Sequence, residues 1–213
     1  MTFTAAYSAA ADCDMVVFAA PSFAIRETAA MVKPFLRKDA ILVSVTKGIE
    51  AETLYTLTQV IEDELQRVGN TTTRLVALSG PTHAEEVARE RLSYLTVVCT
   101  DPDNAQLIGQ KLATKYIHLT YSQDLYGTEY AAILKNIYAL AAGMAIGLGY
   151  GDNFLAVLIS NCAAEMTRFL QESYPYERDT QASAYLGDLL VTSYSIHSRN
   201  RRLGLMIGHG CSV

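Results

Sequence analysis

The chain has 213 residues, half of them hydrophobic, with a formal net charge of −5 and a pI near 5.4. That length holds one large domain or two small ones, and the acidic balance excludes a general nucleic-acid binder, which shows a basic face. Cys13, Cys99, Cys162 and Cys211 are scattered without a CxxC pair, and the histidines lack metal-ligand spacing, so neither a disulfide framework nor a metal site is expected. No basic-then-apolar leader opens the chain, which points to a cytoplasmic protein.

An alanine-rich segment comes first. Met15 to Ala19 reads as a buried strand ending at Ala20, Pro21 and Ser22. Ile25 to Leu36 has helical spacing, and Ile41 to Val45 is a second strand that runs into Thr46, Lys47 and Gly48. From Glu52 to Val68, Leu54, Leu57, Ile61 and Leu65 recur at three- and four-residue steps, as in an amphipathic helix closed by Gly69. A third strand, Leu75 to Leu78, precedes Ser79, Gly80, Pro81 and Thr82. A short helix over Ala84 to Arg89, a strand over Leu95 to Cys99, a helix over Asp103 to Leu112 and a last strand over Ile117 to Thr120 complete an alternating pattern. Alternation of this kind means a doubly wound, mostly parallel sheet. Beyond Ser122 only helices are expected: Leu125 to about Met144, Phe154 to about Gln171, Ala182 to Leu190, and Arg199 to Ile207. The expected division is therefore an α/β part over residues 1–121 and an all-helical part over 122–213.

The long helix from Leu125 carries Lys135 and Asn136 in its middle. Steps of three and four from Lys135 reach Thr128, Ala131, Ala132, Tyr138, Ala139 and Ala142, a stripe of mostly small side chains. Small neighbours let a helix, cofactor or substrate approach the ammonium; the competing reading is a lysine that snorkels out of a core helix. The apolar run Ile137 to Leu148 is too short to span a bilayer. Gly147, Gly149 and Gly151 follow a helix and not a strand, so they are read as ending it, with Asp152 or Asn153 capping the next one.

Open parallel sheets take ligands at the carboxyl ends of their strands. Pro21–Ser22, Lys47–Gly48 and Gly80–Pro81–Thr82 sit at three such ends. Asp188, a lone carboxylate in YLGDLLVTSYS, needs a partner if buried, and Lys135 is available. Ser198, Arg199 and Asn200 at a predicted helix start suit an anion. Arg201 and Arg202 read as a solvated basic face.

The runs VVFAAPSFAIRE, VSVTKGIE, LSGPTHAEEVA, LKNIYALAAGMAIGLGYGDN, YLGDLLVTSYS and HSRNRR, in this order, resemble the NAD(P)-dependent sn-glycerol-3-phosphate dehydrogenases of the bacterial type. The adjacent Lys135–Asn136 favours this family over its relatives. The resemblance implies a partial Rossmann-like sheet followed by a helical domain, with NAD or NADP as cofactor and dihydroxyacetone phosphate as substrate. It makes Lys135 the catalytic lysine, Lys47 a substrate contact that assists it, and Asp188 the carboxylate that holds the network. Gly80 and Thr82 would line the substrate side, Asn136 and Thr192 complete the polar shell, and Ser198, Arg199 and Asn200 receive the phosphate. Ser22, Lys47, Ala84 and Arg199 would border the cofactor. Charge growing on the carbonyl oxygen needs a positioned cation and a proton. Apolar neighbours lower a lysine pKa, and Asp188 opposes that.

The family's opening GxGxxG unit and its last helices have no counterpart in the sequence. A fragment or truncated product is therefore expected, binding NADH poorly, with an open sheet edge through which it associates into a homo-oligomer, such as a dimer. No nucleic acid, metal or stable membrane insertion is expected. Two other readings stand: a non-catalytic assembly module, or another hydroxyacid or ketopantoate-type reductase.

Overall fold

A computed structural model describes residues 3–70 and 74–212. Five strands form one sheet in the order β1 (Met15–Phe18), β2 (Ile41–Ser44), β3 (Leu75–Ser79), β4 (Ser93–Val98) and β5 (Ile117–Ser122). The pairs β1–β2 and β2–β3 are parallel. Backbone bonds from Ser93 N to Tyr116 O (2.7 Å) and from Cys99 N to Ser122 O (3.0 Å) keep β4 and β5 in parallel step. Between β3 and β4 the direction reverses, because Gly80 lies against Tyr94 and Thr96 while Ala77 packs with Val98. The sheet is thus mixed, with one antiparallel step in a mostly parallel run. Every residue of β2 is buried, whereas β1 ends the sheet and leaves Val17 exposed.

Helices α1 (Ile25–Val32) and α2 (Leu57–Gln66) pack on this sheet through Ile25, Ala29, Val32, Leu57, Val60, Ile61 and Leu65, joined by Phe18 and Leu42. The expected start of α2 at Glu52 is five residues too early. Leu54 has φ 59° and is exposed, so it is not part of the apolar stripe. Thr56 and Gln59 form a capping box that fixes the first turn at Leu57, satisfying main-chain N–H groups a helix start otherwise leaves open. Arg26 on α1 donates to both oxygens of Glu50 (2.6 Å each), to Asp63 (2.6 Å) and to Glu64 (2.8 Å), and Lys33 donates to Glu64 (2.8 Å).

That network predicts acid sensitivity. The Arg26 guanidinium holds the Glu50 carboxyl down at about 2, below its ordinary 4.5. A lowered folded-state value means stability fully present above the unfolded value and lost as pH falls from 4.5 towards 2. A drop of this size corresponds to about 3 kcal/mol at most, shared with the other carboxylates around Arg26. Urea denaturation between pH 6 and 3 should show the loss, and Glu50→Gln should remove the part of the pH slope that Glu50 contributes.

After the short α3 (Ala84–Val87) and α4 (Pro102–Leu112), whose first turn is capped by Asp101, the chain becomes helical. Helix α5 spans Leu125–Gly147, α6 Asp152–Ser173, α7 Asp188–Tyr194 and α8 Arg199–Gly208, with a π-helical turn at Ser183–Gly187 leading into α7. The N-cap of α6 is Gly151, not Asp152 or Asn153. Gly147 is still helical; the turn that follows uses Gly149, at φ 86°. Ala131, Tyr138 and Ala142 of α5 pack with Leu155, Ile159, Cys162, Met166 and Leu170 of α6 and Leu189 of α7. By length and composition α5 could cross a membrane, yet this stripe is used in packing against its own chain.

The chain divides into two compact units. The first contains Met1–Leu78, Val97–Lys111 and Tyr121–Leu125; the second contains Ser79–Thr96, Leu112–Thr120 and Tyr126–Val213.

Candidate functional site

In the second unit, the stripe around Lys135 is buried at Thr128, Ala131, Ala132, Tyr138, Ala139 and Ala142, and Lys135 itself is 6% exposed. This lysine does not snorkel out. Its Nζ pairs with Oδ1 of Asp188, which is 2% exposed. The π-helical turn before α7 delivers that carboxylate at the helix start. One turn on, buried Thr192 donates its hydroxyl to the Asp188 carbonyl at 2.6 Å, tightening the same segment. Asn136 lies half-buried next to Lys135.

Ser198 caps α8, its Oγ accepting from Arg201 N at 3.3 Å. A cap that accepts still has its own O–H to donate. Arg199 is exposed and Asn200 half-buried, so the first turn of α8 offers main-chain N–H groups, a hydroxyl, an amide and a guanidinium together. Arg202 is exposed as expected for a solvated face, but Arg201 is not: it is half-buried, and its Nε is buried without a hydrogen-bond partner among the described residues.

Four glycines fix α8 on α5. A Cβ on Gly143 would come within 2.0 Å of Arg201 O, and one on Gly204 within 2.0 Å of Leu140 O. On Gly147 and Gly208 it would meet Leu205 O and Met144 O, each at 2.5 Å. The two helices touch backbone to backbone, which only glycine permits.

The loop after β3 joins these parts. Gly80 turns it at φ 114°, a conformation L side chains rarely adopt, with Tyr94 O 2.9 Å from where a Cβ would stand. Thr82 donates its hydroxyl and its main-chain N–H back to Gly80 O at 3.3 and 2.9 Å. Pro81 abuts Gly187, the neighbour of Asp188, and His83 meets the ring of His197, the neighbour of Ser198. Gly80, Thr82, Asp188 and Ser198 are thereby brought together, with Ala84 exposed at the start of α3. Neither histidine has metal-ligand spacing, and the signal in the residues is their position beside Thr82 and Ser198.

In the first unit, Ser22 and Lys47–Gly48 follow the parallel strands β1 and β2. They are adjacent: a Cβ on Gly48 would stand 2.8 Å from Ser22 Cβ. Lys47 is half-buried.

The chain thus combines strand–helix alternation carrying polar residues at the strand ends with a second unit that buries a lysine against an aspartate. Residues 2–105 match the family model described as NAD-dependent glycerol-3-phosphate dehydrogenase N-terminus, and residues 124–213 match the C-terminus model. The chain belongs to the NAD-dependent glycerol-3-phosphate dehydrogenase family. It is 39% identical over 204 residues to glycerol-3-phosphate dehydrogenase [NAD(P)+] of Clostridium acetobutylicum, covering 96% of this chain and 60% of that one. Identity to the enzyme of Syntrophotalea carbinolica is 41% over 201 residues, covering 94% and 60%. The crystal structure of glycerol-3-phosphate dehydrogenase from Coxiella burnetii superposes with a TM-score of 0.85 at 28% identity, covering 93% of this chain and 59% of that one. The chain therefore spans about 60% of the length of the curated relatives it matches.

Proposed function

We propose that this chain handles the substrate in the NAD(P)-dependent interconversion of dihydroxyacetone phosphate and sn-glycerol 3-phosphate. The observation that carries the reading is the buried Lys135–Asp188 pair, tied through the Gly80–His83 loop to the anion-ready start of α8. The first turn of α8 takes the phosphate: main-chain N–H groups of Arg199 and Asn200 and the Ser198 hydroxyl donate to its oxygens, and the Arg199 guanidinium pairs with its charge. The Lys135 ammonium faces the carbonyl oxygen, stabilises the charge that grows there and gives it a proton. Asp188 orients the ammonium, and Thr192 holds Asp188. Lys47 follows β2 at the carboxyl rim of its own unit, where it is available to an anionic ligand.

The residues present fit the rim of a cofactor site and not a GxGxxG cradle for the pyrophosphate, which has no counterpart in this sequence. Ser22 and Lys47 follow strands of a parallel sheet edge, where open α/β sheets take ligands, and the close backbone at Gly48 keeps that rim compact. Ser22 and Lys47 would border the cofactor there. When bound, the nicotinamide supplies the hydride.

The test is NADH oxidation on addition of dihydroxyacetone phosphate. Lys135→Met should lower the rate at least about 100-fold, as loss of one oxyanion stabiliser does. Arg199→Gln should act mainly by raising KM, and Lys47→Met should also slow turnover. A Lys135→Met protein as active as the parent would overturn the reading.

A further inference from the structure

We propose that His83 and His197 form an imidazole pair that contacts the phosphate of the substrate bound at the start of α8; this rests on the function proposed above. The two rings lie 5.9 Å apart between centroids, tilted by 57°. They come from different parts of the second unit. His83 stands between Thr82 and Ala84, at the N-cap of α3, and makes no capping bond with its side chain. His197 precedes Ser198, and its main-chain N–H donates to Ser195 Oγ at 3.1 Å, which fixes the turn into α8.

The ring nitrogens are what matter. His83 Nε2 is buried and has no hydrogen-bond partner among the described residues. A buried polar nitrogen without a partner costs stability unless something pairs with it. Both rings and Arg199, at the start of α8, act on Glu85, on α3, whose carboxyl is held below its usual range first by its own backbone hydrogen bond and then by His197, His83 and Arg199. His197 and Arg199 flank Ser198 at the helix start already assigned to an anion, and the His83 ring lies against that of His197. Each imidazole carries at least one ring N–H whatever its charge, so each can donate to a phosphate oxygen. The loop from Gly80 to His83 then has a role beyond shaping the substrate side: it brings a phosphate donor from the sheet to the helical anion site.

The chain's own histidines supply the test, since there are four: His83, His118, His197 and His209. Imidazole nitrogen NMR signals of the full chain are followed as sn-glycerol 3-phosphate is added in the presence of NAD, with glycerol as the phosphate-free control. The signals of His83 and His197 should move with glycerol 3-phosphate and not with glycerol, while those of His118 and His209 stay. His197→Asn and His83→Leu should each weaken glycerol 3-phosphate binding roughly tenfold, as loss of a hydrogen bond to a charged group does. Binding that Arg199→Gln abolishes, with both imidazole signals unmoved at saturation, overturns this inference and leaves the proposed function standing. No binding of glycerol 3-phosphate by the parent chain overturns both.

Discussion

Asp188→Leu should lower the unfolding free energy by about 3–5 kcal/mol, because it leaves the Lys135 ammonium buried without its carboxylate. Lys135→Met should cost a similar amount, because the buried Asp188 carboxylate loses the ammonium it pairs with. The double variant should recover most of the loss, since two apolar side chains of similar size replace a buried pair at little net cost. A urea denaturation series on the four proteins measures the coupling directly. Activity should separate from stability here: the double variant is expected to fold and still fail to reduce dihydroxyacetone phosphate. That combination distinguishes a pair retained for chemistry from one retained for packing. Independent, additive losses in the two single variants would show that the pair is not a unit.

Gly204→Ala should destabilise the protein by about 1–3 kcal/mol, although alanine is the better helix former by about 1 kcal/mol. The added methyl would stand 2.0 Å from Leu140 O, and backbone cannot swing away as a flexible side chain can. Helix α8 must move off α5, and Ser198 and Arg199 move with it. Weaker glycerol 3-phosphate binding should therefore accompany the stability loss. Gly143→Ala presses on the same crossing from the other side, so the double variant should cost less than the sum of the two singles. Calorimetry and urea denaturation on the three variants check both points. An unchanged or raised stability in Gly204→Ala would mean that the helices can separate freely.

Much of this was legible in the residues. The step pattern around Lys135 identified its buried stripe, because a helix places residues three and four apart on one face whatever lies opposite. Strand and helix positions followed from periodicity and from Gly, Pro and cap residues. The errors have local causes. Leu54 fits the apolar spacing of α2 but sits in a left-handed turn before the Thr56–Gln59 cap, so pattern alone extended the helix. Gly147 looked like a helix terminator beside Gly149 and Gly151, whereas it seats α8; the matched spacings Gly143–Gly147 and Gly204–Gly208 were the overlooked signal. Arg201 looked solvated because its neighbours are basic, yet α8 turns it partly inward.

By itself the sequence determined which residues carry charge, where helices and strands begin to form, and which family of motifs the chain contains, since these depend on near neighbours. Only the tertiary structure decided that β4 runs against β3, that Asp188 reaches Lys135, and that His83 meets His197. Those contacts join residues far apart in the chain. Their energy comes from burial and from backbone approach between elements, which no local spacing records.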